Sequence, residues 1–353
     1  MRYTCFSLLT VLLLALSSCH KDKEEIVVNE IHVDTNLVYE FKPSFIIENQ
    51  KEITDDIVPD LLKEGDYVAV CAASNYVTES EISEGIETLK SWNLNVVEAS
   101  NIYHQESRYA GTLAERISEF QKMIDNKDIK AIFFVRGGYG AAQMLPYINW
   151  DKMLENPKWI IGYSDVTALH IALNNLGVET ISGLMLRGFN NSKESVDNLK
   201  RTLFEAGQEI SIEKNSNCVE GTASGRLVGG NLSLIYSLSG TAFDLNTKNA
   251  ILFIEDVEEA NYSIDRMLLN LQQSGKLQEI KGLIVGDFLN CKQGSDLPLN
   301  EIISKYFGNL NIPIVYGIPV GHDTKNLSLV MGSRVMISVD DKTASITYPK
   351  VSK

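Results

Sequence analysis

The sequence predicts an α/β protein in which a doubly wound parallel sheet is followed by a β-rich α+β domain. Two observations point there. Between residues 61 and 176, apolar runs of strand length alternate with runs of helical spacing, the pattern of a parallel sheet covered by helices on both faces. From about Thr222 the texture changes: glycines cluster at Gly221, Gly225, Gly229 and Gly230, and short strands follow with one clear helix among them.

Taken in order, the first segment is an address rather than a fold. Arg2 supplies a positive start, and residues 8–16 (LLTVLLLAL) form an apolar run too short to span a bilayer. The run ends at Leu16-Ser17-Ser18-Cys19, which resembles a bacterial lipobox, where cleavage precedes a cysteine that is then lipidated. Residues 1–18 are therefore expected to be a signal peptide. Acyl chains on Cys19 would anchor the protein to a membrane, as an exported lipoprotein facing the periplasm or the cell surface. Residues 19–60, opening with His20-Lys21-Asp22-Lys23-Glu24-Glu25, read as a solvated tether and N-terminal extension.

The first domain is expected over 61–205. Residues 66–73 (DYVAVCAA) are a continuous apolar run after Gly65, typical of a strand buried on both faces. Ile82, Ile86, Leu89 and Trp92 mark a helix over 79–92, and 94–97 a second strand. Leu113, Ile117, Phe120 and Ile124 place an amphipathic helix over 112–124. A third strand, 131–135 (AIFFV), runs into Arg136-Gly137-Gly138-Tyr139-Gly140, followed by a helix over 139–147. A fourth strand, 159–161, meets Gly162-Tyr163-Ser164-Asp165 and a helix over 166–176. Residues 192–218 read as a join. The second domain, over 206–353, has strands at 250–254, 282–285, 313–316, 335–339 and 344–348 and a helix at 264–273.

Composition removes several classes of function. With 44% hydrophobic residues and 22% charged ones, the chain has enough apolar surface for a real core. A net charge of −14 argues against a phosphate-backbone binder, so no nucleic acid partner is expected. Beyond the signal, Cys71, Cys218 and Cys291 lie far apart without a zinc spacing, and they read as three free thiols. No metal and no cofactor are expected.

Three segments carry candidate chemistry. Ser164 sits where an apolar strand turns into a helix, a geometry that exposes a hydroxyl and aims the following N–H groups at one point. The alternative is a helix N-cap. A serine hydroxyl needs a base, and histidine titrates in the working range. Of five histidines, His20 and His32 lie in the tether, His104 precedes a loop and His170 lies inside a helix. His322 follows a glycine-rich turn after a strand and is selected by elimination. The carboxylate that would orient it comes from the strand end at 255–256, where Glu255 and Asp256 both qualify.

These residues, with their surroundings, resemble the LD-carboxypeptidases, a family that also includes the microcin-immunity serine peptidases. The resemblance runs from about residue 61 to 339. It is carried by Leu62-Lys63-Glu64-Gly65-Asp66, the block AIFFVRGGYGA through IIGYSDVTALH, then Leu227-Val228-Gly229-Gly230-Asn231-Leu232, ILFIEDVEE, GLIVGDF and Gly321-His322 with Asn326-Leu327. It implies a Rossmann-like N-terminal domain with a β-rich C-terminal one. It also implies Ser164 as nucleophile, Glu255 as the acid and His322 as the base, which settles Glu255 over Asp256. The chain departs from the family at Ser182-Gly183-Leu184-Met185, where a His-Gly-Pro-Met-like segment is common, and at Val330, where proline is common.

What the resemblance further implies is release of the terminal D-alanine from a muropeptide tetrapeptide. By the logic of acyl transfer, the oxyanion would sit against the backbone N–H of Asp165 and that of Gly137 or Gly138, with Gly138 preferred, and Arg136, Arg187 or Asn231 would contact substrate. The alternatives are an immunity-type hydrolase of aminoacyl-nucleotide antibiotics and a muropeptide-binding lipoprotein without turnover. The expected partners are the muropeptide and, through Cys19, a membrane; a homodimer is compatible with the reading.

Overall fold

The computed structural model describes residues 52–54 and 56–348. The expected signal peptide, Cys19 and most of the expected tether lie outside the described residues. The chain then forms β1 (Tyr67–Cys71), α1 (Glu79–Ser91), β2 (Asn95–Glu98), a small hairpin of β3 (Gln105–Glu106) and β4 (Tyr109–Ala110), α2 (Leu113–Asp125) and β5 (Ile129–Phe134). Next come α3 (Ala141–Met144), α4 (Asp151–Glu155), β6 (Trp159–Gly162), α5 (Thr167–Asn174), β7 (Thr180–Ser182) and α6 (Lys193–Phe204). The second half contains β8 (Glu209–Glu213), β9 (Gly221–Asn231), α7 (Leu232–Leu238), β10 (Ala250–Val257), α8 (Asn261–Gln273) and β11 (Gly282–Leu289). It closes with α9 (Leu299–Phe307), β12 (Ile314–Tyr316), β13 (Leu329–Met331), β14 (Arg334–Val339) and β15 (Thr343–Thr347).

Two sheets organise these elements. The first has the order β13-β7-β6-β5-β1-β2 and the second β12-β11-β10-β9-β14-β15-β8. In the first, β2, β1, β5, β6 and β7 run parallel, so the loops after β1, β5, β6 and β7 all emerge at one edge. That edge is where ligands of open α/β sheets collect. Val68, Ala69, Val70, Ile132, Phe133, Phe134, Ile160 and Ile161 are fully buried, which is why these strands read as unbroken apolar runs. In the second sheet β9 to β12 are parallel, whereas β14, β15 and β8 add an antiparallel wing.

Two helices open on capping residues of their own sequence. Thr78 with Glu81 and Thr112 with Glu115 form capping boxes at the starts of α1 and α2. Each such cap stabilises its helix by about 1 kcal/mol. The helix expected over 139–147 is shorter: α3 ends after one turn and a 3₁₀ turn, Leu145–Tyr147, carries Pro146 at its start. Proline lacks the N–H that an uninterrupted α-helix would use.

Several features of the C-terminal half differ from the expectation, beginning with three helices, α7, α8 and α9, where the sequence read as one. The strand at 250–254 continues to Val257, so Glu255 and Asp256 lie within it rather than beyond it. The segment 192–218, read as a join, contains α6, whose Val196, Leu199 and Leu203 pack into the core. The C-terminal half also returns a strand to the first sheet, β13 pairing antiparallel with β7. Sheet membership therefore does not follow chain order, and the His322 loop, which leads into β13, is drawn toward the first sheet.

Candidate active site

Ser164 stands at the turn from β6 to α5, with a backbone φ of +60°. This left-handed conformation is uncommon for a non-glycine residue and costs on the order of 1–3 kcal/mol, a strain found most often at functional sites. Gly162 permits the turn, because a Cβ there would come within 2.7 Å of the Val166 side chain. Asp165 anchors it from behind. Its buried carboxylate accepts hydrogen bonds from the Ser74 hydroxyl and, at 2.8 Å, from the Ala141 N–H. The elbow is thus tied to the chain beyond β1 and to the start of α3. Burial raises the Asp165 pKa, with the two hydrogen bonds opposing that rise.

The glycine loop after β5 closes over the serine. A Cβ on Gly137 would stand 3.1 Å from both Cβ and Oγ of Ser164. Gly137 and Gly138 line the same cavity as Ser164 and His322, with a volume of about 540 Å³. Gly137→Ala is expected to place its methyl against the hydroxyl and to lower kcat/KM by about 10²-fold with little change in melting temperature. Steady-state kinetics with a thermal melt checks this; activity within twofold of wild type would contradict the crowding.

His322 reaches the cavity from the loop after β12. Its Nδ1 lies 2.7 Å from Oε2 of Glu255, which is only 2% exposed. The Tyr163 ring stands edge-on to the imidazole at a centroid distance of 5.0 Å. The loop is fastened by Asn326, whose Oδ1 accepts from the Gly321 N–H at 3.2 Å and whose N–H donates to the Ser195 hydroxyl at 3.0 Å. Burial opposes the imidazolium, but the Glu255 hydrogen bond and charge, with Asp256 and Asp287 adding to them, outweigh it. The His322 pKa is raised as a result.

Glu255 and Asp256 part company because neighbouring strand residues face opposite sides of a sheet. Asp256 accepts from the Asn231 amide at 2.9 Å and from the Ser233 N–H and hydroxyl at 2.9 and 2.8 Å, so it braces the start of α7. Burial, foremost among its influences, pushes its carboxyl up to about 6. The Glu255 site is made by a register shift between β10 and β11, where Gly286 and Asp287 stand opposite one residue. A side chain on Gly286 would collide with the Val320 carbonyl, at 2.3 Å from its Cβ.

The remaining expected residues divide. Arg136 and Arg187 line the cavity, and Arg187 Nε lies 2.9 Å from Oε1 of Glu81. Asn231 does not fit the expected substrate contact: it is buried, its amide holds Asp256 and its Oδ1 accepts from the Leu234 N–H. His170 is a packed helix residue, as expected, with Nε2 2.8 Å from the Gly162 carbonyl. Cys71, Cys218 and Cys291 are free thiols. Sequence reasoning missed Glu81, Tyr163, Asn190 and Asn191, all of which line the cavity. It had flagged the segment of Met185, which lines the cavity too. Among the described residues no group of three or more His, Cys, Asp or Glu is placed to hold a metal.

A strained serine at a strand-to-helix elbow, facing one cavity with a carboxylate-bound imidazole, is an arrangement capable of serine-type acyl transfer. Comparison with known proteins agrees in class. Residues 68–183 match the LD-carboxypeptidase N-terminal domain, and residues 224–337 the LD-carboxypeptidase C-terminal domain. The chain belongs to the LD-carboxypeptidase family of peptidases. It is 32% identical over 298 residues to a "Probable murein peptide carboxypeptidase" of Bacillus subtilis, covering 82% of this chain and 93% of the relative. It is 27% identical over 317 residues to the microcin C7 self-immunity protein of Escherichia coli, covering 80% and 92%. Among solved structures, the muramoyltetrapeptide carboxypeptidase of Oxalobacter formigenes superposes with a TM-score of 0.75 at 26% identity, covering 80% of this chain and 99% of that one.

Proposed function

We propose that the protein is a serine LD-carboxypeptidase that removes the terminal D-alanine of muropeptide tetrapeptides, with Ser164, Glu255 and His322 as its catalytic triad. The observation that carries this reading is the His322–Glu255 pair, 2.7 Å apart, opening on the cavity that Ser164 lines. His322 Nε2 takes the Ser164 proton as the hydroxyl oxygen attacks the scissile carbonyl. Glu255 holds the Nδ1–H tautomer and stabilises the imidazolium that forms. The N–H groups of Asp165 and Gly138 receive the oxyanion, and losing one such donor typically costs about 10²–10³ in rate. His322 then protonates the departing D-alanine nitrogen. Water, deprotonated by the same histidine, releases the tripeptide from Ser164.

The relation to the microcin immunity protein supports a second reading, hydrolysis of an aminoacyl-nucleotide amide by the same machinery. The lipobox at Leu16-Ser17-Ser18-Cys19 favours the first, since muropeptides occur outside the inner membrane and such antibiotics act in the cytoplasm. Incubating the protein separately with tetrapeptide and with an aminoacyl-sulfamoyl nucleoside, with products read by mass spectrometry, tests the ranking. D-alanine release from the tetrapeptide is expected; cleavage of the nucleoside alone would reverse it. We likewise propose that Cys19 is lipidated. Globomycin, or Cys19→Ala, should leave unprocessed precursor in cells, and normal processing under both would refute the anchor.

A further inference from the structure

A second cavity, with a volume of about 310 Å³, lies apart from the one that Ser164 lines. Its size is at the lower end of the range for small-molecule sites, roughly 300–1,000 Å³. It reaches the amino ends of the first sheet, where Trp159 begins β6 and Glu179 precedes β7, whereas the Ser164 turn follows the carboxyl end of β6. The chain ahead of β1 forms one wall and is fastened there. Trp159 Nε1–H donates to the Asp60 carbonyl at 2.9 Å, and the Leu62 N–H to the Leu203 carbonyl at 2.9 Å. The end of α6 and the strand β13 supply the other walls.

One of these walls is built by a residue at which the chain departs from its family. Val330 stands where proline is common, and its N–H donates to the Tyr348 hydroxyl at 3.0 Å. Proline has no N–H and cannot make that bond. β13 is the edge strand of its sheet, so this N–H points away from β7 and is free to hold the buried Tyr348 ring against the cavity. Trp159, buried as well, adds a second aromatic surface.

The charge of the lining selects the sign of a ligand. Asp60, Glu179 and Glu205 face Lys63 alone, so an anion is disfavoured and a cation favoured. Glu179 is only 6% exposed. Burial first, with Asp56 adding to it, pushes its carboxyl up to about 7, against the Ser333 hydrogen bond and the more distant charge of Arg226. The two arginines nearby are engaged elsewhere, since Arg226 and Arg334 both pair with Asp56. A buried carboxylate in that position gains from an arriving counter-charge. Ser328 and Gln208 also line the cavity, and among the described residues Ser328 Oγ and Gln208 Nε2 have no hydrogen-bond partner. We propose that this cavity binds a small organic amine, its ammonium on Glu179 and its aromatic or branched apolar body against Trp159, Val330 and Tyr348. The site is separate from the reaction at Ser164 and does not depend on it.

Three probes of similar shape and different charge test this by calorimetry: tryptamine, tryptophol and indole-3-acetate. Tryptamine is expected to bind the wild-type protein about tenfold more tightly than the other two, because only it brings a charge-assisted hydrogen bond to Glu179. Glu179→Gln should bring the three affinities within about threefold of one another. Val330→Pro, a change that an edge strand tolerates, should weaken tryptamine by about fivefold by releasing Tyr348. Glu81→Gln removes the acid that lines the Ser164 cavity and should leave tryptamine binding unchanged. Circular dichroism and a thermal melt confirm the fold of each variant; if Glu179→Gln does not fold, Val330→Pro and Glu81→Gln decide between the two cavities. Equal binding of the three probes to the wild type, or a tryptamine preference that survives Glu179→Gln, overturns the proposal. So does binding that Glu81→Gln abolishes and Val330→Pro leaves intact, since the amine would then sit beside Ser164.

Discussion

Replacing Ser164 by alanine is expected to lower kcat for D-alanine release by about 10⁵–10⁶-fold, the scale seen when a serine hydrolase loses its nucleophile. The substitution removes one oxygen and leaves the cavity wall, Arg136 and the Glu81–Arg187 pair in place, so tetrapeptide binding should persist. Stability offers a separate check on the elbow. At a φ of +60° alanine inherits the strain of the serine, whereas glycine adopts the conformation freely. Ser164→Gly is therefore expected to be at least as stable as Ser164→Ala, the reverse of the usual order of these two residues. Denaturant titrations of both variants beside kcat measurements decide it. Ser164→Ala activity within tenfold of wild type would remove the nucleophile assignment.

Changing Glu255 to glutamine should lower kcat by about 10³–10⁴-fold and move the pH profile in a defined direction. In the wild type, kcat/KM rises with pH as the His322 imidazolium loses its proton, with a midpoint above the ordinary histidine value of 6.5, because Glu255 overrides the effect of burial. Glutamine removes the charge while burial of His322 remains, and burial disfavours the imidazolium. The acid limb of the variant therefore shifts to lower pH. The amide also presents N–H groups toward Nδ1 and favours the tautomer that carries its proton on Nε2, the wrong nitrogen for a base. A profile whose midpoint stays where it was, or rises, would show that Glu255 is not the group that tunes His322.

What the chain revealed before folding, and what it withheld, follows from how local each signal is. The buried strands at 66–73 and 131–135 were legible because parallel strands covered on both faces must be apolar throughout. Ser164 was legible because the change from strand to helix, with Gly162 before it, is written within a few residues. Glu255 against Asp256 was not, since both carboxylates stand in one strand and only its position in the sheet decides which face meets His322. Asp256 finds its partners in Asn231 and Ser233, from the adjacent β9–α7 turn. That pairing also explains why Asn231, expected at the substrate, is occupied elsewhere. Glu81 was not picked out, since its pairing with Arg187 joins the first turn of α1 to the turn after β7, which no periodicity reports. The short strand β13 was missed for a similar reason: three residues carry too little pattern, and their place is set by pairing with β7.

Turnover of tetrapeptide in the presence of hydroxylamine, with the products identified by mass spectrometry, bears most directly on the mechanism. An acyl group carried on Ser164 partitions between water and the added nucleophile, so tripeptide hydroxamate should form beside free tripeptide, in a ratio that grows with hydroxylamine concentration. Ser164→Ala should form neither. D-alanine release with free tripeptide as its sole partner at every hydroxylamine concentration would mean direct attack by water, and would contradict a covalent role for Ser164.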